Sequence, residues 1–218
     1  MKKIWKRAAA LALAGAMAGS LGGCGQGKRL AAGITTDNAI ITSMNTESGS
    51  LDSAGDSSLW WWSYDDVCMA PLMEMEEDGS WNYILAESVD VNDEMTQYTV
   101  HIREEAKWSN GDDVTSADFR NTIVRALDPQ GQSGYSSMLF VIQGAEEMYN
   151  GEGDESGLGV SCLDDKTLVF DLTSPCTYFE QLFVLPVYMP THRELQTETN
   201  GDWAMGNDMD ALVSCGPY

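Results

Sequence analysis

An α/β fold with mixed sheets is predicted for this chain, and three stretches predict it. From Gln97 to Arg103, Tyr98, Val100 and Ile102 alternate with Thr99, His101 and Arg103, the period of two that marks a strand. After a break at Ser109-Asn110-Gly111, where Asn-Gly supplies the positive φ of a tight turn, the chain restarts as a helix. Thr115 is its N-cap, Asp118 stands in the capping-box position, and Asp112 and Asp113 lie near the positive end. Phe119, Ile123, Ala126 and Leu127 then recur at helical spacing, and Asp128-Pro129 ends the run. The third stretch, Val160 to Leu172, reads as a hairpin with its turn at Asp164-Asp165-Lys166.

Taken from the N-terminus, Met1 to Arg7 is basic, and Ala8 to Leu21 is an apolar run shorter than the about 20 residues a spanning helix needs. The run ends in Leu21-Gly22-Gly23-Cys24, the small-residue form of a signal-peptide cleavage site. That ending resembles the bacterial lipobox, which implies cleavage before Cys24 and a diacylglycerol on its thiol; the alternatives are an ordinary signal peptide or an uncleaved anchor. Gly25 to Ala32 reads as a tether, Ala39 to Met44 as a short strand, and Thr46 to Ser58, rich in Ser, Gly and Asp, as loop. Trp60, Trp61 and Trp62 follow. Successive helical residues point about 100° apart, so three indoles do not share one buried face. Either one meets solvent, a ligand or another domain, or all three pack in core and interdomain contacts.

Tyr64 to Met75 reads as a helix entering a strand, and Asp78-Gly79 as a turn. A strand from Val89 and the strand at Gln97 flank a turn at Asn92-Asp93. Asp90-x-Asn92-x-Glu94 lacks the glycine and the final glutamate of a calcium loop, so no metal is assigned there. A Gly/Ser/Gln loop after Pro129 leads past Tyr135 into a helix from Ser136 to Tyr149. Asn150 to Gly157 is a charged loop whose glycines do not follow a buried strand, which rules out a dinucleotide fingerprint. Pro186 and Pro190 bracket a short extended piece.

The 218 residues suffice for one or two modest domains. Net charge is −22, and with Lys2, Lys3, Lys6 and Arg7 set aside, 8 basic residues face 34 acidic ones. Such a surface argues against nucleic acid as a partner, because phosphates need a basic footprint; it favours solubility. Five cysteines at 24, 68, 162, 176 and 215 form no C-x-x-C pair, and there are two histidines, which argues against zinc. With Cys24 given to lipid, the other four make two disulfides or remain buried thiols.

Ile102-Arg103, Lys107-Trp108-Ser109-Asn110-Gly111 and Val114-Thr115-Ser116-Ala117-Asp118-Phe119 resemble, at fixed offsets, family 5 of the extracellular solute-binding proteins. These are the oligopeptide-, dipeptide- and nickel-binding subunits of ABC importers. Further matches run from about Ile40 to Tyr218: Ser50-Leu51-Asp52-Ser53, with serine in place of proline; Leu85-Ala86-Glu87-Ser88; the Val160–Leu172 hairpin; Pro175 to Leu185 with Tyr178-Phe179, which resembles a helix start of that family and implies a helix there; and Cys215-Gly216-Pro217-Tyr218, with cysteine in place of asparagine. The resemblance implies a type II periplasmic-binding-protein fold. It implies a first lobe over 34–70, a smaller inserted domain over 71–190 and a return to the first lobe over 191–218, preceded by a signal peptide (1–23) and a tether (24–33). The second lobe follows the Gly-Pro-Tyr element in that family, so the chain is expected to be truncated before it and to bind peptide weakly on its own. The resemblance places ligand contacts at Ser57, Ser58, Leu59 and Trp60, and at Tyr135. A phenol offers a donor, an acceptor and a stacking face there; the other reading of Tyr135 is a surface residue capping the next helix.

Three functions compete on these residues. The first is a lipid-anchored receptor, held on the outer side of a bacterial membrane, that binds peptides or other small solutes and delivers them to an ABC permease, with no cofactor and no catalytic residue. The second is a surface hydrolase, against which stand the lack of G-x-S-x-G and H-E-x-x-H and the presence of only His101 and His192 as imidazoles. The third is a carbohydrate-binding lipoprotein, suggested by the tryptophans. The pattern from Gln97 to Leu127 fits the first.

Overall fold

The computed structural model describes Asp52, Ala54 and residues 68–131, 133–198 and 213–216. The chain divides into two units, 1–44 and 45–218, and all described residues belong to the second.

Among the described residues six strands make two sheets. β1 (Met73–Met75) and β2 (Trp81–Tyr83) form an antiparallel hairpin pairing Met73 with Tyr83. Its turn is the expected Asp78-Gly79, with Gly79 at φ +83°. β3 (Ala86–Val91), β4 (Gln97–Ile102), β5 (Val160–Asp164) and β6 (Thr167–Asp171) form one sheet in the order β3-β4-β6-β5. Every pairing among the described residues is antiparallel; the parallel part of the expected mixed sheets has no counterpart among them. Short links dictate this for the β1-β2, β3-β4 and β5-β6 hairpins, since a parallel neighbour needs a crossover of a dozen or more residues; β4 and β6 are antiparallel across a long connection. Between β3 and β4 the Asn92 side chain accepts hydrogen bonds from the amides of Thr96 (2.8 Å) and Gln97 (3.0 Å). The acidic stretch that failed as a calcium loop is therefore a turn closed by its own asparagine.

Helix α1 (Ser116–Ala126) crosses this sheet with the face its spacing predicts. Phe119, Ile123, Ala126 and Leu127 are all fully buried, each large side chain contributing about 1.5–3 kcal/mol of burial. They meet Tyr98, Val100 and Ile102 of β4 and Leu168 and Phe170 of β6 in one core. Beside it, Phe170, Phe179, Phe183 and Tyr188 make edge-on and tilted contacts, with centroids 5.1 Å apart for Phe179–Phe183 and 5.2 Å for Phe170–Phe179. Such offset geometry suits the ring quadrupoles. The Tyr188 hydroxyl donates to the Met138 carbonyl (3.0 Å), and burial raises its pKa well above that of a free phenol.

The polar face of α1 is also used. Ser116 Oγ donates to the Asp164 carbonyl (2.6 Å) and Arg120 Nε to the Val160 carbonyl (3.2 Å). Both acceptors lie on β5, one of the two outer strands of the sheet.

Three expected elements differ from the structure. The helix from Ser136 to Tyr149 is two pieces, a 3₁₀ turn at Ser136–Leu139 and the short helix α2 (Ala145–Tyr149). Gly144 separates them at φ +73°, and a Cβ there would lie 2.2 Å from the Gly157 carbonyl oxygen, so the chain turns where no other residue fits. Pro175 to Leu185 contains a 3₁₀ helix at Phe179–Val184 rather than an α-helix. The piece between Pro186 and Pro190 is a 3₁₀ turn, Pro186–Tyr188, with extended backbone only at Leu185 and Met189 on either side. A final short helix, α3, spans Arg193–Glu198.

Candidate functional site

The Lys-Trp-Ser-Asn-Gly run builds scaffold. Lys107 Nζ lies 2.6 Å from Asp113 across the loop, and Gly111 takes φ +97°. Trp108 is buried. Its ring lies against His192, centroids 5.2 Å apart, and its Nε1–H reaches the Asp118 carboxylate at 3.5 Å. Asp118 collects more than the capping box predicts. It accepts from the Thr115 amide and hydroxyl, both at 2.9 Å, and from the Arg193 amide at 2.9 Å. One buried carboxylate thus joins the loop, the start of α1 and the start of α3, each bond satisfying a donor that burial would otherwise strand.

His192 is also buried. The Leu195 amide donates to its Nδ1 (3.4 Å), which assigns the proton to Nε2, 2.9 Å from Asp112 Oδ2. The hydrogen bond from His192, and then that from Asn110, hold the Asp112 carboxyl below its ordinary pKa. The other histidine, His101, pairs with Asp90 at 3.0 Å.

The residues placed at the ligand by resemblance fall in two groups. Ser57, Ser58, Leu59 and Trp60 lie outside the described residues, as do Cys24, Trp61 and Trp62. Five residues before Ser57, however, Asp52 is described and 8% exposed. Its Oδ1 accepts from the Ala54 amide (3.0 Å), closing its own turn. Both its oxygens face the Arg125 guanidinium, with Nη1 3.0 Å from Oδ1 and Nη2 against Oδ2. Arg125 stands in the last turn of α1.

Tyr135 arrives at the same end of that helix. Its neighbour Ser136 donates through Oγ to the Ala126 carbonyl (2.8 Å), one of the carbonyls a helix end leaves unpaired. Tyr135 itself sits at the N-cap of the 3₁₀ turn, half-buried, its carbonyl accepting from Met138 N–H (2.9 Å). Its side chain makes no cap hydrogen bond to that turn. The C-terminal turn of α1 therefore holds both Asp52 and Ser136, the residue next to Tyr135. Asp52 was visible in the sequence as part of Ser-Leu-Asp; its partner Arg125 was not, because nothing local marks a contact across 73 positions.

Open clefts among the described residues lie elsewhere. One, of about 380 Å³, is lined by Glu87, His101, Asp164 and Lys166 among others; the second, of about 260 Å³, includes Asp112, Asp118, His192 and Arg193. Neither contains Tyr135, and their walls are polar, unlike the mostly apolar pockets that hold small ligands. Among the described residues no three His, Cys, Asp or Glu side chains converge as a metal ion requires.

Comparison with known proteins adds to this geometry. A model of the bacterial extracellular solute-binding proteins, family 5, middle part, matches residues 81–218. The oligopeptide-binding protein OppA of Bacillus subtilis is 36% identical over 147 residues, 67% of this chain and 27% of the relative. The dipeptide-binding protein DppE of the same organism is 29% identical over 222 residues, 100% of this chain and 40% of the relative. Among solved structures, Listeria monocytogenes OppA bound to peptide superposes with a TM-score of 0.72 at 30% identity, covering 78% of this chain and 33% of that one. The substrate-binding domain of an oligopeptide ABC transporter from Bacillus anthracis gives 0.75 at 30% identity, covering 81% and 34%. The chain spans between a quarter and two fifths of the length of these relatives.

Proposed function

Because the chain belongs to family 5 of the bacterial extracellular solute-binding proteins, with the α/β fold of the periplasmic peptide-binding proteins, we propose that it serves as the peptide-binding component of an ABC importer. It works outside the membrane, held there by a lipid on Cys24, and passes peptides to the permease. The ligand contacts are Ser57, Ser58, Leu59, Trp60 and Tyr135, in a cleft between a first lobe (34–70, rejoined over 191–218) and an inserted domain (71–190). The observation that carries this reading is the likeness, at 30% identity, to a receptor solved with peptide bound. Support comes from the end of α1, where Arg125 holds Asp52, five positions before Ser57 in sequence, and the Ala126 carbonyl holds Ser136, the neighbour of Tyr135. Recognition of varied peptides then rests on main-chain hydrogen bonds, with side chains received in roomy pockets.

Photo-cross-linking tests it in a way that captures weak binding. A tripeptide library bearing benzophenone is irradiated with the full chain, and labelled residues are mapped by mass spectrometry. Label at 57–60 and at Tyr135, competed by unlabelled peptide, is the expected outcome. Label confined to other surfaces, or tryptophan quenching by sugars with no peptide label, overturns it. Mass spectrometry of membrane-extracted protein checks the anchor, and an unmodified Cys24 refutes it.

A further inference from the structure

Cys215 is held from both sides. Before it, the Ser109 amide donates to the Ser214 carbonyl (2.7 Å), and the Ser214 amide donates back to Ser109 Oγ (3.0 Å). After it, the Gly216 amide donates to the Cys68 carbonyl (2.9 Å). Gly216 lies so close to that peptide that a Cβ on it would sit 2.6 Å from Cys68 C and 2.9 Å from Met69 N. The backbone that carries Cys215 is therefore laid against the backbone that carries Cys68. The Cys215 Cα lies about 2.4 Å from the Gly216 nitrogen and the Cys68 Cα about 2.4 Å from its own carbonyl oxygen, so across the 2.9 Å hydrogen bond the two Cα atoms are at most about 7.7 Å apart, a range that contains the roughly 4.4–6.8 Å a disulfide requires. Both residues are half-buried, shielded yet within reach of an exchanging reagent.

The other two cysteines are placed differently. Cys162 is exposed on β5, paired across the ladder with Leu168. Cys176 is buried, its amide donating to the Met95 carbonyl (3.0 Å) and its carbonyl accepting the Tyr98 hydroxyl (2.6 Å). Tyr98 pairs with Phe170 and Phe170 with Val160, which leaves β4 and β6 between Cys176 and the outer strand that bears Cys162. Among the described cysteines, Cys162 and Cys176 therefore do not pair with each other.

We propose that Cys68 and Cys215 form a disulfide in the exported protein, stapling the returning segment to the start of the described fold. Its formation in cells rests on the extracytoplasmic placement proposed above, since exported chains meet an oxidising milieu. The two thiols lose two protons and two electrons to a disulfide-bearing thiol oxidant, whose own disulfide becomes a dithiol as the Cys68–Cys215 bond forms. The bond closes a loop of well over a hundred residues, where a cross-link restricts the unfolded chain most.

The test uses the full chain, fractionated first and then alkylated under denaturing conditions without reductant. Exported protein is expected to yield a Cys68–Cys215 linked peptide, with alkyl label on Cys162 and Cys176 alone. Label on both Cys68 and Cys215 of exported protein overturns the proposal. Protein found in the cytoplasm counts against the export reading instead. It is then treated with oxidised glutathione, where the linked peptide supports the pairing and label on both residues overturns it. In exported protein, Cys68→Ser is expected to expose Cys215 to label without changing Cys162, and reductant is expected to lower Tm in the parent but not in the variant.

Discussion

Asp52 and Arg125 meet as carboxylate and guanidinium fork at the last turn of α1, 73 positions apart in the chain. The Asp52 side chain is 12% exposed and that of Arg125 23%, so the pair lies between a surface bridge and a buried one. Arg125→Met is expected to cost about 2 kcal/mol, mostly from stranding the carboxylate. Arg125→Lys recovers only part, since one ammonium does not match both oxygens. Chemical denaturation measures both, and an unchanged midpoint in Arg125→Met refutes the anchoring role.

Asp118 joins three elements through four donors. Asp118→Ala leaves buried N–H groups unpaired and is expected to lose about 2–3 kcal/mol. Asp118→Asn keeps an acceptor and loses less. Near-ultraviolet circular dichroism reads the change at Trp108, whose ring packs beside this carboxylate; a spectrum identical to the parent's in Asp118→Ala counts against the hub.

The Asp112–His192 contact has a pH signature. The folded-state pKa of Asp112 is depressed, chiefly by the hydrogen bond from His192. A depressed carboxylate adds stability above its unfolded value, near pH 4, and loses it as pH falls through the lower folded value. Asp112→Asn should therefore lower Tm at neutral pH, with the gap to the parent closing as pH drops below about 4. A gap that stays constant to pH 2 contradicts the linkage.

Gly144 and Gly151 both take positive φ, +73° and +74°. A Cβ on Gly144 meets the Gly157 carbonyl, whereas the nearest atom to one on Gly151 is 3.9 Å away. Gly144→Ala is expected to cost more than about 2 kcal/mol and Gly151→Ala about 1 kcal/mol. Thermal denaturation of the two variants side by side checks the ranking.

Much of the fold is readable in the chain because its signals are local. Alternation marks β4, spacing marks the buried face of α1, and Asp78-Gly79 and Asn110-Gly111 mark turns by the φ they demand. The errors arise where distant contacts decide. Ser136 to Tyr149 has helical composition, but the close approach of Gly157 forces Gly144 into a conformation that ends one piece and starts another. Pro186–Tyr188 curls because Tyr188 must reach the aromatic cluster and the Met138 carbonyl. The same holds for the site. Asp118 reads locally as a cap, yet its bonds to Trp108 and Arg193, like the meeting of Asp52 with Arg125, depend on how separate elements dock.

The bonds from Ser116 and Arg120 to the Asp164 and Val160 carbonyls have an effect beyond this one molecule. An outer strand with open carbonyls invites another copy to add its own strand there, and Leu163, 69% exposed, would reward the attachment. Helix α1 occupies two of those acceptors with its own side chains, and the net charge of −22 keeps copies apart in dilute salt. Polymerisation is thereby held off by two side chains and by mutual repulsion, and concentrated salt leaves the side chains to guard the rim alone.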